Sequence, residues 1–128
     1  MQQDDFILKS GAKLHMSSAA WEKVVDLWSA VKPVTEKYRD NPVMAAGMIM
    51  PDPGVQTAVR ALFPWATWNN LKVSPQLFDD PKHGDQARMD YLEICEKLLE
   101  FNLRPFFLMT YSGSTATKQP TIENPEQP

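Results

Sequence analysis

Few side chains in this sequence could carry out catalysis: two histidines, one cysteine and a short acidic segment. A nucleophilic site needs a base within hydrogen-bond reach of a Ser or Cys. Cys95 falls on the apolar stripe of a helical pattern, where a thiol is a small, unreactive core residue. His15 lies in a predicted hairpin and His83 in a predicted loop. Because the glycine motifs of hydrolases and nucleotide-binding proteins are also missing, we predict a non-enzymatic protein without a cofactor.

The acidic segment has the composition of a cation site but not its spacing. Asp79, Asp80, His83 and Asp85 lie close together in the chain. Their spacing matches neither a calcium-binding loop nor a zinc signature. Asp80-Pro81 is typical of a turn, and Asp85 suits the N-cap of the helix that follows. We therefore predict no metal site.

Apolar side chains suggest a different kind of site, a surface that binds another protein. The 128 residues include four Trp, seven Met and six Phe. Trp65 and Trp68 lie in a proline-interrupted segment, where they are either both buried or part of an exposed patch that binds a partner. Met44, Met48 and Met50 present the same alternative, since methionine suits surfaces that accept several partners. These residues are the candidate partner-binding residues.

Composition and charge limit the remaining classes. A net charge of -3 and a pI near 5.3 argue against binding to nucleic acid or to a membrane surface. No apolar run reaches the roughly 18–20 residues that cross a bilayer. The acidic first residues do not form the start of a signal peptide, and a single cysteine excludes an internal disulfide. We expect a soluble protein of the reducing cytoplasm.

The first ordered element is predicted to be a β-hairpin. Its strands are residues 6–9 and 12–16, and Gly11 supplies the positive φ of a tight turn. Leu14 and Met16 share one face and Lys13 and His15 the other, because side chains alternate along a strand. A hairpin alone is marginal in water, so it must pack on helices or on another chain.

An amphipathic helix follows the hairpin. We predict that Ser17 caps it and that Pro33 breaks or kinks it, with residues 34–39 continuing it for a further turn. Apolar residues at helical spacing predict its buried stripe. The stripe consists of Trp21, Val24, Val25, Trp28 and Val31.

Two Asx-Pro pairs lie in the middle of the chain. Asn41-Pro42 and Asp52-Pro53 each look like an N-cap followed by proline at the first helical position. Residues 43–50 between them are apolar on every side, which fits either a buried short helix or a buried strand. After Asp52, a short helix is predicted to bury Val55, Ala58, Val59 and Leu62.

The last helix is predicted to begin at its N-cap Asp85 and to end at Arg104-Pro105. Residues 106–111 could form a short final strand beside the hairpin, and residues 112–128 are too polar to bury a core. The predicted buried stripe of this helix is Ala87, Tyr91, Ile94, Leu98 and Phe101, widened by Leu92, Cys95 and Leu99. The fold is therefore predicted to be mainly α, with roughly three to five helices and a small N-terminal β-hairpin. Residues 1–111 form the single domain, and residues 112–128 a disordered tail or linker.

Residues 6–31 resemble the start of the tail assembly chaperones of long-tailed bacteriophages. The resemblance rests on Leu8-Lys9-Ser10-Gly11-Ala12-Lys13-Leu14 and the amphipathic helix after it. It implies a protein that binds the tape-measure protein, helps recruit tail-tube subunits, acts in the host cytoplasm and is absent from the finished virion. It also implies no catalytic or ligand residues.

Many copies on one long client would imply self-association into oligomers or spirals. In the family the chaperone is often made in a second, frameshifted form, for which residues 112–128 have the composition of a linker. Two alternatives remain at this point: a structural head–tail connector or tail-completion protein, and a small protein-binding regulator.

Overall fold

Helices packed on one face of a small antiparallel sheet make up the fold. The computed structural model describes residues 2–114, and the side chains of residues 2–106. Within that range the strands are β1 (Gln3–Ile7), β2 (Lys13–Ser17), β3 (Ala66–Trp68) and β4 (Leu71–Lys72). The helices are α1 (Trp21–Lys37), α2 (Pro42–Ile49), α3 (Pro53–Arg60), α4 (Gly84–Met89) and α5 (Tyr91–Ser114). The predicted mainly α fold with an N-terminal hairpin is confirmed.

The N-terminal hairpin forms as predicted, with shifted strand ends. β1 and β2 pair antiparallel with Phe6 opposite Leu14. Gly11 has a φ of +93°, the left-handed conformation that favours glycine. Leu14 and Met16 are buried, whereas Lys13 is exposed on the opposite face. Alternation along the strand therefore identified the buried face correctly.

A second hairpin, which the sequence interpretation missed, extends the sheet to the order β1-β2-β3-β4. β3 lies antiparallel to β2, with Trp68 opposite Leu14. Asn69 and Asn70 have φ values of 49° and 67° and form the tight turn to β4. The predicted final strand at residues 106–111 is wrong, since this segment is part of α5 and β3 takes the place beside the hairpin.

Helix α1 starts later than predicted and buries only part of the predicted stripe, at Val24 and Val31, while Trp28 is half-buried. Ser17 ends β2, and Ala20 precedes the helix without a side-chain cap, so the predicted cap is wrong. Trp21 and Val25 are exposed rather than buried. Pro33 lies inside the helix, which continues to Lys37. The observed buried residues are Val24, Leu27, Val31 and Val34.

Both predicted Asx-Pro caps are present. The Asn41 side chain accepts a hydrogen bond from the Met44 backbone N–H (3.1 Å), and Asp52 accepts one from Val55 (3.0 Å). These caps begin α2 and α3. Residues 43–49 are thus helical, but the predicted burial is wrong for most of α2, of which Ala45 is the buried residue. In and after α3, Val55, Val59 and Leu62 are buried as predicted.

The predicted last helix is two helices separated at Asp90. Asp85 lies in the first turn of α4 instead of capping it, because the N-cap is His83, two residues earlier, and the helix begins at Gly84. The predicted stripe is buried at Ala87, Ile94, Cys95, Leu98, Leu99 and Phe101. Leu92 is exposed, which corrects its placement on that stripe.

Pro105 does not end α5, which extends to Ser114. The Phe106 ring stacks on the rings of Trp21 and Trp28, with centroids 5.5 and 4.9 Å away. Stacking of this kind stabilises the contact between α5 and α1 just after the proline. Residues 112–114 of the predicted tail belong to α5, and residues 115–128 lie outside the described part of the chain.

Candidate protein-binding surface

The two candidate tryptophans do not share an exposed patch. Trp68 is 2% exposed, so its predicted place in such a patch is wrong. Its indole N–H donates to the buried Asp90 carboxylate at 2.9 Å, and the Ser10 hydroxyl donates to the same oxygen at 2.8 Å. Trp65 is half-buried, and its carbonyl accepts a hydrogen bond from Ser17. In this fold Trp68 is a core residue with a satisfied polar atom.

The candidate methionines lie on or next to helix α2. Met44 and Met48 are 49% and 41% exposed, and Val43 beside them is 84% exposed. Met50, just after the helix, is half-buried. Residues 42–49 contain no charged side chain. We call Val43, Met44 and Met48 the α2 surface, and it is an apolar area of the kind that protein partners cover.

Capping rather than burial positions α2. Asn41 and Pro42 begin the helix, and Asp52 and Pro53 begin the next one, so the apolar segment between them is fixed at both ends. Ala45 is buried and Ile49 packs partly against the core, whereas Val43, Met44 and Met48 are exposed. The sequence therefore holds large apolar side chains in place without covering them.

Two grooves flank α2. The groove beside α1 and α3 has a volume of about 330 Å³ and includes both charged and apolar residues. It is lined by Pro33, Val34, Lys37, Tyr38, Met48, Pro51, Asp52 and Pro53. The groove on the other side, here named the α2–α5 groove, has a volume of about 290 Å³. It is lined by Ala46, Ile49, Met50, Glu96, Leu99 and Glu100.

A second apolar area was missed by the sequence interpretation. Ile7, Met89 and Leu92 are 62%, 77% and 62% exposed and surround a groove of about 490 Å³ at the end of β1. We call these residues the edge surface. Strand alternation would have indicated Ile7, because Phe6 shares the buried face with Leu14. β1 is an edge strand whose Asp4 and Asp5 discourage pairing with another strand.

Two of the residues considered for catalysis, His15 and Cys95, have structural roles: one forms a hydrogen bond on the sheet and the other packs in the core. The His15 ring and the Asp5 carboxylate are 2.6 Å apart on the solvent face of the sheet, and this hydrogen bond lowers the pKa of Asp5. Cys95 is fully buried, and burial raises the pKa of its thiol to about 11, which keeps it protonated and a poor nucleophile at neutral pH. Burial also raises the pKa of Tyr91, which contacts Cys95.

The acidic segment is held by hydrogen bonds within the chain. Asp79 pairs with Arg88 at 2.8 Å, and Asp80 accepts from the Lys82 backbone N–H at 2.7 Å. Among the described residues, no three carboxylate, histidine or cysteine side chains are grouped as metal ligands would be. None of the helices in residues 2–114 combines the length and the apolar character of a membrane span.

Comparison with known proteins adds no family to these observations. No protein-family model, curated protein or solved structure matches the chain.

Proposed function

We propose that this protein is a non-enzymatic tail assembly chaperone that binds a long helical client, the tape-measure protein, at its α2 surface. In this proposal it acts in the host cytoplasm and helps recruit tail-tube subunits to the client. The observation that carries the proposal is an uncharged helix that keeps Val43, Met44 and Met48 exposed although a compact core is available beneath it.

The physical argument is that exposed apolar area is unfavourable unless a partner covers it. Burial in an interface stabilises by roughly 25 cal/mol per Å² of apolar area, before the costs of association. Methionine has a flexible, polarisable side chain, which lets one surface accept different apolar residues of a long client. The resemblance of residues 6–31 to phage chaperones supports the choice of client, and its hairpin segment lies in a hairpin in this fold.

The test is co-expression of the chain with a tagged tape-measure protein, followed by pull-down. The variant Val43→Ser/Met44→Ser/Met48→Ser should lose most of the client, while its free energy of unfolding falls by no more than about 1.5 kcal/mol, because each of the three exposed sites contributes at most about 0.5 kcal/mol. The matched control is Ile7→Ser/Met89→Ser/Leu92→Ser, which removes the same number of exposed apolar side chains from the edge surface.

Retention of the client by the α2 variant would contradict the proposed site. Loss with the edge variant alone would move the site to the edge surface. Detection of the protein in purified virions would contradict the chaperone role and favour a structural connector.

Self-association of the free protein stays a separate prediction. Sedimentation velocity over a wide concentration range should show oligomers, because a chaperone without its client still exposes its apolar area. A strict monomer over that range would count against the chaperone role.

A further inference from the structure

We propose that the α2–α5 groove selects a client helix with one apolar face bordered by Lys or Arg side chains. This inference takes from the proposed function only that the client is a helix, and it places that helix beside the α2 surface, because Val43, Met44 and Met48 do not line the groove. The carrying observation is a groove with an apolar floor and two carboxylates, but no cation, among its lining residues.

The floor of the groove can receive a helix. Ile49 and Met50 are half-buried and Leu99 is buried between α2 and α5, and together they form the apolar floor. Along α2, Val43, Ala46, Gly47 and Met50 follow the spacing i, i+3, i+4, i+7 and therefore lie on one face. The centre of this face has small residues and its ends have large ones. A partner helix could therefore approach closely at the centre while its side chains contact Val43 and Met50.

Gly47 is not required by the fold of the chain itself. A Cβ atom built at Gly47 meets no other atom within 4 Å, and the residue is exposed in the interior of α2. Glycine at such a position destabilises a helix relative to alanine. Gly47 and the neighbouring Ala46, also exposed, leave room for the close approach of another backbone.

The charges at the groove favour a cationic partner. Glu96 and Glu100 are one helical turn apart on α5. Glu96 forms no ion pair with any residue that the structure describes, and Glu100 pairs with Lys97 at 3.4 Å. The Lys97 ammonium lies 4.2 Å from the centre of the Phe6 ring, toward β1 and not among the groove residues. Complementary charges of this kind give selectivity between partners.

A single helix fits this groove better than a second copy of the chain. A stable interface between two globular proteins uses about 20–30 residues on each side, many more than line the groove. Binding of a helix in a groove needs only a few anchors. A second copy that presented its own α2 would bring no cation, since Pro42–Ile49 contains none.

The test uses two synthetic helical peptides with the same leucine face, bordered either by Lys or by Glu. Each peptide is titrated into the full chain and binding is followed by fluorescence anisotropy. The Lys-bordered peptide should bind about tenfold tighter or more at low salt, and the difference should shrink as salt screens the charges. Equal binding of the two peptides would overturn the proposal.

Charge variants locate the selectivity. Glu96→Lys/Glu100→Lys should reverse the preference, and the milder Glu96→Gln/Glu100→Gln should abolish it with an unchanged melting temperature. The matched control Glu22→Gln/Asp26→Asn neutralises two exposed carboxylates one turn apart on α1 and should keep the preference. If the preference survives in Glu96→Gln/Glu100→Gln, the groove is not the site.

The glycine gives an independent test of close approach. Gly47→Leu should weaken binding of the Lys-bordered peptide by about tenfold or more, while the melting temperature is equal or higher because the position is open in the chain and leucine favours helix. Undiminished binding would contradict close approach at α2.

The outcomes also separate this inference from the proposed function. Loss of the tape-measure protein by the α2-surface variant, without any peptide preference, would overturn the inference alone. Clear peptide preference with full retention of the tape-measure protein by that variant would overturn the proposed function alone.

Discussion

Helix α2 and strand β3 are both short, apolar and close to prolines, yet the fold exposes the first and buries the second. β3 pairs with β2, and the indole N–H of Trp68 finds the Asp90 carboxylate. α2 has local caps at its start and next to its end, and most of its large side chains lack a counterpart in the core. Apolar composition alone therefore does not decide burial. Burial also requires strand pairing and a hydrogen-bond partner for each buried polar atom.

The largest effect on stability should come from truncating the buried tryptophan of β3. Trp68→Ala should lower the free energy of unfolding by about 3–5 kcal/mol, because it leaves a large cavity and removes one of the two donors to the Asp90 carboxylate. Met44→Ala should change it by less than about 0.5 kcal/mol, since Met44 is largely exposed. Urea denaturation of both variants measures the difference. Equal losses would mean that α2 belongs to the core.

Elements that depend on nearby residues were predicted well, whereas elements that depend on contacts distant in the sequence were not. The caps at Asn41 and Asp52 depend on residues three positions away, so the sequence is sufficient to predict them. The alternation of Leu14 and Met16 is likewise a property of one strand. β3 is only three residues long and exists because β2 is beside it, although its Asn69-Asn70 turn was a readable signal.

The predicted helix ends and buried faces were wrong where contacts with another element determine them. Pro105 is a helix-breaking residue, but α5 continues past it, and the next residue, Phe106, stacks on Trp21 and Trp28 of α1. Trp21, which takes part in this stack, is exposed, and Leu27 is the residue of α1 that is buried instead. For the candidate site, the sequence left burial and exposure open both for Trp68 and for the methionines. The structure buries Trp68, whose acceptor Asp90 is 22 residues away, and exposes Met44 and Met48.

The next largest effect concerns the polar partner that allows β3 to be buried. Asp90→Ala should destabilise the fold by about 1–3 kcal/mol, because the Trp68 N–H is left buried without an acceptor. Trp68→Phe in the same background should then cost much less than it does in the parent. Thermal denaturation of the two single variants and the double variant gives this coupling. Additive losses would mean that the hydrogen bond does not stabilise the buried tryptophan.

Oxidation should distinguish exposed from buried methionines without changing the sequence. Dilute hydrogen peroxide should convert Met44 and Met48 to sulfoxides before it reaches Met16, which is 2% exposed. Peptide mass spectrometry at increasing times gives the order. In denaturant, where every thioether is accessible, the three rates should converge. Simultaneous oxidation in the native state would contradict the exposure of α2.

The smallest effect lies on the solvent face of the sheet that buries Trp68. The hydrogen bond from His15, with a smaller contribution from Lys13, lowers the pKa of Asp5 below its ordinary value of 3.8. A lowered folded-state pKa means that the small stabilisation is present above pH 3.8 and is lost as the pH falls through the folded-state pKa. NMR titration of the Asp5 carboxyl should show a midpoint that rises toward 3.8 in His15→Leu and rises less in Lys13→Gln. An unchanged midpoint in His15→Leu would show that the hydrogen bond between Asp5 and His15 does not persist in water. The sheet would then be stabilised from its buried face alone.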